Sequence, residues 1–251
     1  IVIKRGITSF ISPPRTANRG RASPPRTAIG AKLDVATASM SKPSFQIILG
    51  SASTARQRIL AEMGYEFRVM TADIDERSIR KDKPEELVMA LAEAKADAII
   101  ARLLNTGQLQ KDTDMTLLIT ADTVVVYKGV VREKPTTISD IHLALSLLLL
   151  AGYSGGHAAV VGSILVTNLN TGSRRVTWER AEVYFHEIPD EIVDSLIEEG
   201  ITFKVAGGLM LEHPLTLPFV EAVIGNTDTV MGLPSALTQQ FIDEVLQPLK
   251  A

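Results

Sequence analysis

FQIILGSASTARQRIL, residues Phe45–Leu60, runs from an apolar stretch through a glycine and a cluster of small hydroxylated residues into a helical pattern. Phe45–Gly50 reads as a short buried strand. Ile59, Leu60 and Met63 share one face of the helix that follows, and Gly64 closes it. A strand that feeds a helix through a tight polar turn is the opening unit of an α/β fold. Downstream the alternation continues. Glu66–Met70 reads as a second strand. Pro84 opens a long helix with Leu87, Val88, Leu91, Ala94, Ala98 and Ile99 at helical spacing. Asn105–Asp114 is polar and loop-like. Thr116–Thr120 and Val124–Tyr127 read as strands on either side of Ala121, Asp122 and Thr123. Ser139 caps a Leu-rich helix that ends near Gly152, in which Leu143–Leu150 reads as buried. His157–Val166 and Arg174–His186 form a long antiparallel pair turned at Asn170–Ser173, the second alternating through Val176, Trp178, Ala181 and Val183. Pro189 starts a helix through Ile197, ended by Gly200. Phe219–Ile224 is a strand and Ser235–Leu246 a last helix. Strand–helix alternation with an antiparallel excursion predicts an α/β fold with a mixed sheet.

The chain has 251 residues, no cysteine and a net charge of −3. The length suffices for a full core without staples, and the missing cysteines exclude disulfides, thiolate metal sites and a cysteine nucleophile. The charge is unevenly spread. Residues 1–44 hold eight Lys/Arg against one acid, Asp34, a sum of +7 that leaves −10 for the remainder. They repeat Ser-Pro-Pro-Arg-Thr-Ala at Ser12–Ala17 and Ser23–Ala28. This composition predicts a disordered extension, with 45–251 as the folded domain. It fits an organelle transit peptide, and equally a solvated basic tail. With Phe10 as the one aromatic there, and an acidic remainder, no nucleic-acid partner is expected. No apolar run reaches the ~18 residues of a membrane span, so no membrane partner is expected either.

Four places could carry chemistry. At the start of the first helix, exposed N–H groups with Ser51, Ser53, Thr54, Arg56 and Arg58 suit a phosphate, although a plain serine cap with solvated arginines has the same sequence. The stretch lacks the Gly-Lys-Ser/Thr of a Walker A loop. Asp122, between two apolar runs, is costly unless it is functional or paired. With Lys134 in a rigid loop before Pro135, it suits a metal-bound polyphosphate. Asp73, Asp75 and Glu76 offer hard oxygen ligands for Mg²⁺ or Mn²⁺, or form a solvated acidic loop. Lys95 borders the apolar stripe of the long helix, where a snorkelling lysine is the plain alternative. The four histidines show no paired zinc-ligand spacing, and no Gly-x-Ser-x-Gly elbow is present.

In order, LGSASTARQRIL (Leu49–Leu60), DIDE (Asp73–Glu76), LAEAKA (Leu91–Ala96), ADTVV (Ala121–Val125), EKP (Glu133–Pro135), GGH (Gly155–His157), AGGLMLE (Ala206–Glu212) and MGLP (Met231–Pro234) resemble the Maf family of septum-formation-type nucleoside triphosphate pyrophosphatases. The resemblance covers residues 45 to about 248. It implies a mixed, strongly twisted sheet flanked by helices, related to inosine triphosphate pyrophosphatase, elongated and two-lobed around a central cleft. It implies metal-dependent cleavage of non-canonical or modified nucleoside triphosphates to a monophosphate and pyrophosphate, in a cytoplasmic homodimer, or in an organelle if residues 1–44 are a targeting signal. Carried over, Ser51 and Arg56 hold phosphates, Lys95 and Lys134 neutralise them, and Glu76 and Asp122 form the acidic, metal-binding centre. Asp122 matches the family's principal catalytic carboxylate, as general base for water or as metal ligand.

The chain departs from the family pattern at two positions. Ala55 stands where many members carry a further arginine, and Glu212 where many carry glutamine. An ionised Glu accepts hydrogen bonds but donates none. Members acting on dTTP and UTP usually have the Arg and the Gln, whereas the branch acting on 7-methyl-GTP has an apolar residue and a Glu. The resemblance therefore leans to the second branch. A non-catalytic nucleotide-binding regulator of cell division, a division-associated scaffold and a phosphomonoesterase are the rival readings.

Overall fold

The computed structural model describes residues 45–108, 115–132, 157–199 and 211–247, all within one compact unit, Pro43–Ala251. Its frame is a seven-stranded mixed sheet: β1 (Phe45–Leu49), β2 (Phe67–Val69), β3 (Met115–Tyr127), β4 (Val130–Arg132), β5 (His157–Asn168), β6 (Arg174–Phe185) and β7 (Val220–Ile224). The order is β2-β1-β3-β5-β6-β7, with β4 beside β3. β2, β1 and β3 are parallel; β3, β5, β6 and β7 run antiparallel in succession.

Helices cover both faces. On one lies α2 (Pro84–Asn105), whose Ala92, Ala96, Ile99 and Leu103 pack on Ile48, Leu118 and Leu165. On the other, α1 (Thr54–Glu62) and α5 (Ser235–Leu246) bring Ile59, Leu60, Phe241, Ile242 and Val245 against Ile47, Leu117, Ile119 and Ile164. A further cluster joins Tyr127, Val160, Val183 and Phe185 to Ile188, with Ile192 of α3 (Asp190–Glu198) packed against it. Gly50 ends β1 under tight constraint. A Cβ there would lie 2.5 Å from Thr120 Cγ2 and 2.9 Å from Ile99 Cδ1, so only glycine lets α2 and β3 close on this turn.

The predicted elements largely form, with instructive differences. The two strands expected around Asp122 are one strand, β3, because β5 pairs with it without interruption from Leu117↔Asn168 to Val126↔Ala159. The alternation expected in β6 divides between faces. Ala181, Val183 and Phe185 are buried on one, while Val176 and Trp178 lie on the other, with Trp178 exposed. On α2 the buried stripe includes Lys95 itself, with Ala94 and Ala98 to its side. The reading missed β4, a 3-10 turn at Glu76–Ser78, and the short helix α4 (Thr227–Met231). The Leu-rich helix from Ser139 lies outside the described residues. No described helix is long and apolar enough to cross a membrane.

Candidate active site

β3 is flanked on one side by two different strands. β1 pairs with it as far as Leu49↔Ile119, and β4 begins at Val125↔Arg132. Residues 120–124 between them have no strand partner on that side. The chain leaves β1 at this gap and turns into α1, with β2 on one side of β1 and β3 on the other. Such a switch point, beyond the carboxyl ends of parallel strands, is where open α/β sheets hold ligands. Successive side chains of β3 point to opposite faces. Asp122 therefore faces α2, and Thr123 faces α1.

On the α2 face, Lys95 Nζ makes a short ion pair with Asp122 Oδ1 and lies 2.8 Å from Glu76 Oε1. Lys95 and Asp122 are both buried. Two hydroxyls hold α2 in register for this meeting. Thr120 Oγ1 donates to Ala92 O (2.8 Å) and Ser163 Oγ to Val88 O (2.7 Å). The acceptors are one helical turn apart. Ser163 Oγ also accepts from the Asp122 N–H at 3.2 Å, so one side chain connects β3 to the helix that carries Lys95.

On the α1 face, Arg56 is held by three neutral oxygens. Nε donates to Gly232 O (2.8 Å), one terminal nitrogen to Ser51 Oγ (3.2 Å) and the other to Thr123 Oγ1 (3.1 Å). Ser53 caps α1 by accepting from the Arg56 N–H. Ser51 Oγ accepts from the Ser53 N–H at 3.2 Å, which tightens the turn. Burial lowers the guanidinium's pKa from its ordinary value, while the charges of Asp122 and Glu76 act in the opposite sense. A partly buried cation whose hydrogen bonds among the described residues all go to neutral acceptors is well suited to an anionic ligand. Gly232 closes the cradle with φ +100°. A Cβ there would sit 3.1 Å from both Arg56 Nε and Thr123 Oγ1.

Of the residues singled out from the sequence, the gap in β3 thus gathers Ser51, Arg56, Lys95, Asp122 and Glu76. Arg58, expected to add charge to the phosphate turn, points elsewhere. It pairs with Glu62 (3.2 Å) and Glu212 (2.6 Å), because it lies two residues from Arg56 on α1 and so on nearly the opposite side of the helix. Asp75 is occupied as a cap, accepting from the Arg77 N–H at 3.1 Å, so Glu76 is the member of the acidic run that reaches Lys95. Lys134 lies outside the described residues. Thr123, Ser163, Thr120 and Gly232 were not singled out from the sequence. The ADTVV and MGLP motifs contained two of them, but the contacts that give them roles span up to 176 residues of chain. Among the described residues no group of three or more His, Asp or Glu side chains is placed to hold a metal alone.

Comparison with known proteins places this arrangement in a family. A 7-methyl-GTP pyrophosphatase of Dictyostelium discoideum is 36% identical over 202 residues, covering 80% of this chain and 98% of its own. A nucleoside triphosphate pyrophosphatase of Salinispora tropica is 30% identical, covering 81% of this chain and 85% of its own. A dTTP/UTP pyrophosphatase of Desulforamulus reducens is 31% identical, covering 75% and 90%. The family described as Maf-like protein matches residues 46–245, from the first strand to the last helix, and the chain belongs to that family.

Proposed function

We propose that the chain hydrolyses a nucleoside triphosphate to a nucleoside monophosphate and pyrophosphate, as a hydrolase acting on acid anhydrides. The observation that carries this reading is the gap in β3. There two carboxylates, an ammonium and a guanidinium converge beside the turn from β1 to α1. Water attacks the α-phosphorus in line, the new P–O bond forms, and the bond to the bridging oxygen of the pyrophosphate breaks. Asp122 takes the proton of that water. Lys95 pairs with both Asp122 and Glu76 and orients them. Arg56, with Ser51 and the N–H groups of the turn, receives phosphate oxygens, and Lys134 supplies further positive charge to the departing pyrophosphate.

The donor set fits a hard divalent cation. Asp122 and Glu76 both contact Lys95 Nζ, so the two carboxylates lie side by side, and Mg²⁺ takes one or two carboxylates with substrate phosphates and water completing its shell. Mg²⁺ or Mn²⁺ held by these two residues would neutralise charge on the polyphosphate.

For the base, the reading is 7-methyl-GTP or a similarly modified nucleotide. Glu212, an acceptor when ionised, suits a cationic methylated guanine, and Ala55 presents no competing charge. The likeness to a 7-methyl-GTP pyrophosphatase supports this. The active form is proposed as a homodimer without nucleic-acid or membrane partners. It is cytoplasmic, or organellar if residues 1–44 are an address outside the catalytic domain. Purified protein assayed with 7-methyl-GTP, GTP, dTTP and UTP should release pyrophosphate fastest from 7-methyl-GTP. A strong preference for dTTP or UTP overturns the base assignment. Orthophosphate as product overturns the reaction.

A further inference from the structure

α1 sends two arginines in different directions. At about 100° per residue, Arg56 and Arg58 stand on nearly opposite sides of the helix. Arg56 goes to the phosphate turn and Arg58 to Glu212. Ala55, three residues before Arg58, shares its face and carries no charge. Arg58 bridges two carboxylates, Glu62 one turn along its own helix and Glu212 from a distant segment. Glu212 is the better shielded of the two, 27% exposed against 65% for Glu62, so its pairing is the less screened by water.

The segment that follows Glu212 is fixed independently. His213 is buried, and its Nε2 lies 2.9 Å from Glu199 Oε2 at the end of α3. Its Nδ1 accepts the Leu215 N–H at 3.3 Å, and its carbonyl accepts from Thr216 and Leu217. Neighbouring residues are thus tied in two directions, His213 toward α3 and Glu212 toward α1. Without Arg58 the backbone at 213 would keep its anchor, while the Glu212 carboxylate would be free to turn into water.

We infer that Arg58 is a specificity-determining positioning residue, which orients the Glu212 carboxylate so that it can discriminate between nucleobases. This rests on the reading of Glu212 as the residue that meets the base. The ion pair engages Oε2, and a carboxylate so engaged keeps further lone pairs as acceptors for a base N–H or as a counter-charge for a cationic ring. The substrate feature selected is therefore a base that donates or carries positive charge.

The test is a double-mutant cycle read as the ratio of kcat/KM for 7-methyl-GTP to that for UTP. Arg58→Ala should lower the ratio about threefold, the scale of one partly exposed ion pair, with the loss appearing in KM for 7-methyl-GTP. Arg58→Lys should recover part of it. In a Glu212→Gln background, Arg58→Ala should change the ratio no further. Equal effects on both nucleotides, or a full effect in the Glu212→Gln background, would overturn the inference. If Glu212→Gln shifts the ratio and Arg58→Ala does not, the role of Arg58 alone fails. If Glu212→Gln leaves the ratio untouched, the base reading fails and the inference with it.

Discussion

On the α2 face of β3, Lys95 meets two carboxylates; on the α1 face, one residue along the strand, Arg56 meets three neutral oxygens. Both are buried or partly buried cations at the same gap, so the difference lies in what balances their charge. Lys95 is already compensated by Asp122 and Glu76, and removing Lys95 would take from the buried Asp122 carboxylate the cation that balances it. Among the described residues Arg56 is oriented without an ion-pair partner, and burial disfavours its charged form. A polyphosphate would supply the missing counter-charge. The reading proposed above therefore assigns the chemical step to the α2 face and substrate holding to the α1 face, a division that kinetics can break.

The largest effect belongs to the α2 face. Asp122→Asn keeps shape and removes the carboxylate proposed to accept the proton. General-base loss is worth about 10²–10⁴-fold, so kcat should fall roughly a thousandfold while nucleotide affinity by calorimetry stays within about threefold. A variant that loses affinity and keeps kcat would reverse the division between faces.

On the α1 face, Gly232→Ala tests the cradle through a residue that has no side chain to lose. The φ of +100° is costly for any residue with a Cβ, and the added atom would press on Arg56 Nε and Thr123 Oγ1 at 3.1 Å. A left-handed strain of about 1–2 kcal/mol should lower Tm by several degrees. Displacement of Arg56 should raise KM roughly tenfold, with kcat much less affected. A lowered Tm with unchanged KM would show that Arg56 does not depend on this glycine.

What could be read from the sequence divides along similar lines. β1, α1, α2, β5, β6 and α5 are local patterns: apolar runs, helical spacing, a turn at Asn170–Ser173 and glycine stops. They survive because each pattern agrees with its packing. β4 did not show because its turn places Lys128 at φ +48° before Gly129 at φ +75°, and lysine is not a residue that announces a tight hairpin. β3 looked interrupted because Thr120, Asp122 and Thr123 are polar. Their partners, Ala92, Lys95 and Arg56, sit on helices that no strand periodicity reveals. The site showed the same split. Its charged members were legible by type and order. The direction of Arg58 could also have been read from the turn angle of α1. The cradle of Arg56 could not, since Gly232 meets it only through the fold.

The smallest effect is the most discriminating about Arg56. Thr123 and Asp122 are neighbours in sequence, so a change at Thr123 could in principle disturb either face. Thr123→Val preserves volume and branching and removes the oxygen that accepts from Arg56 at 3.1 Å. Two acceptors remain, Gly232 O at 2.8 Å and Ser51 Oγ at 3.2 Å, so the guanidinium should loosen rather than leave. A single hydrogen bond to a charged group is worth about 1.5–3 kcal/mol, at the lower end where other acceptors remain, so KM should rise about tenfold or less and by no more than in Gly232→Ala. The pH profile of kcat should match the wild type, because Asp122 points to the other face and keeps Lys95. A shifted profile or a kcat loss larger than the KM change would mean that the two faces act as one unit, with Arg56 tuning the reacting carboxylate through β3 itself.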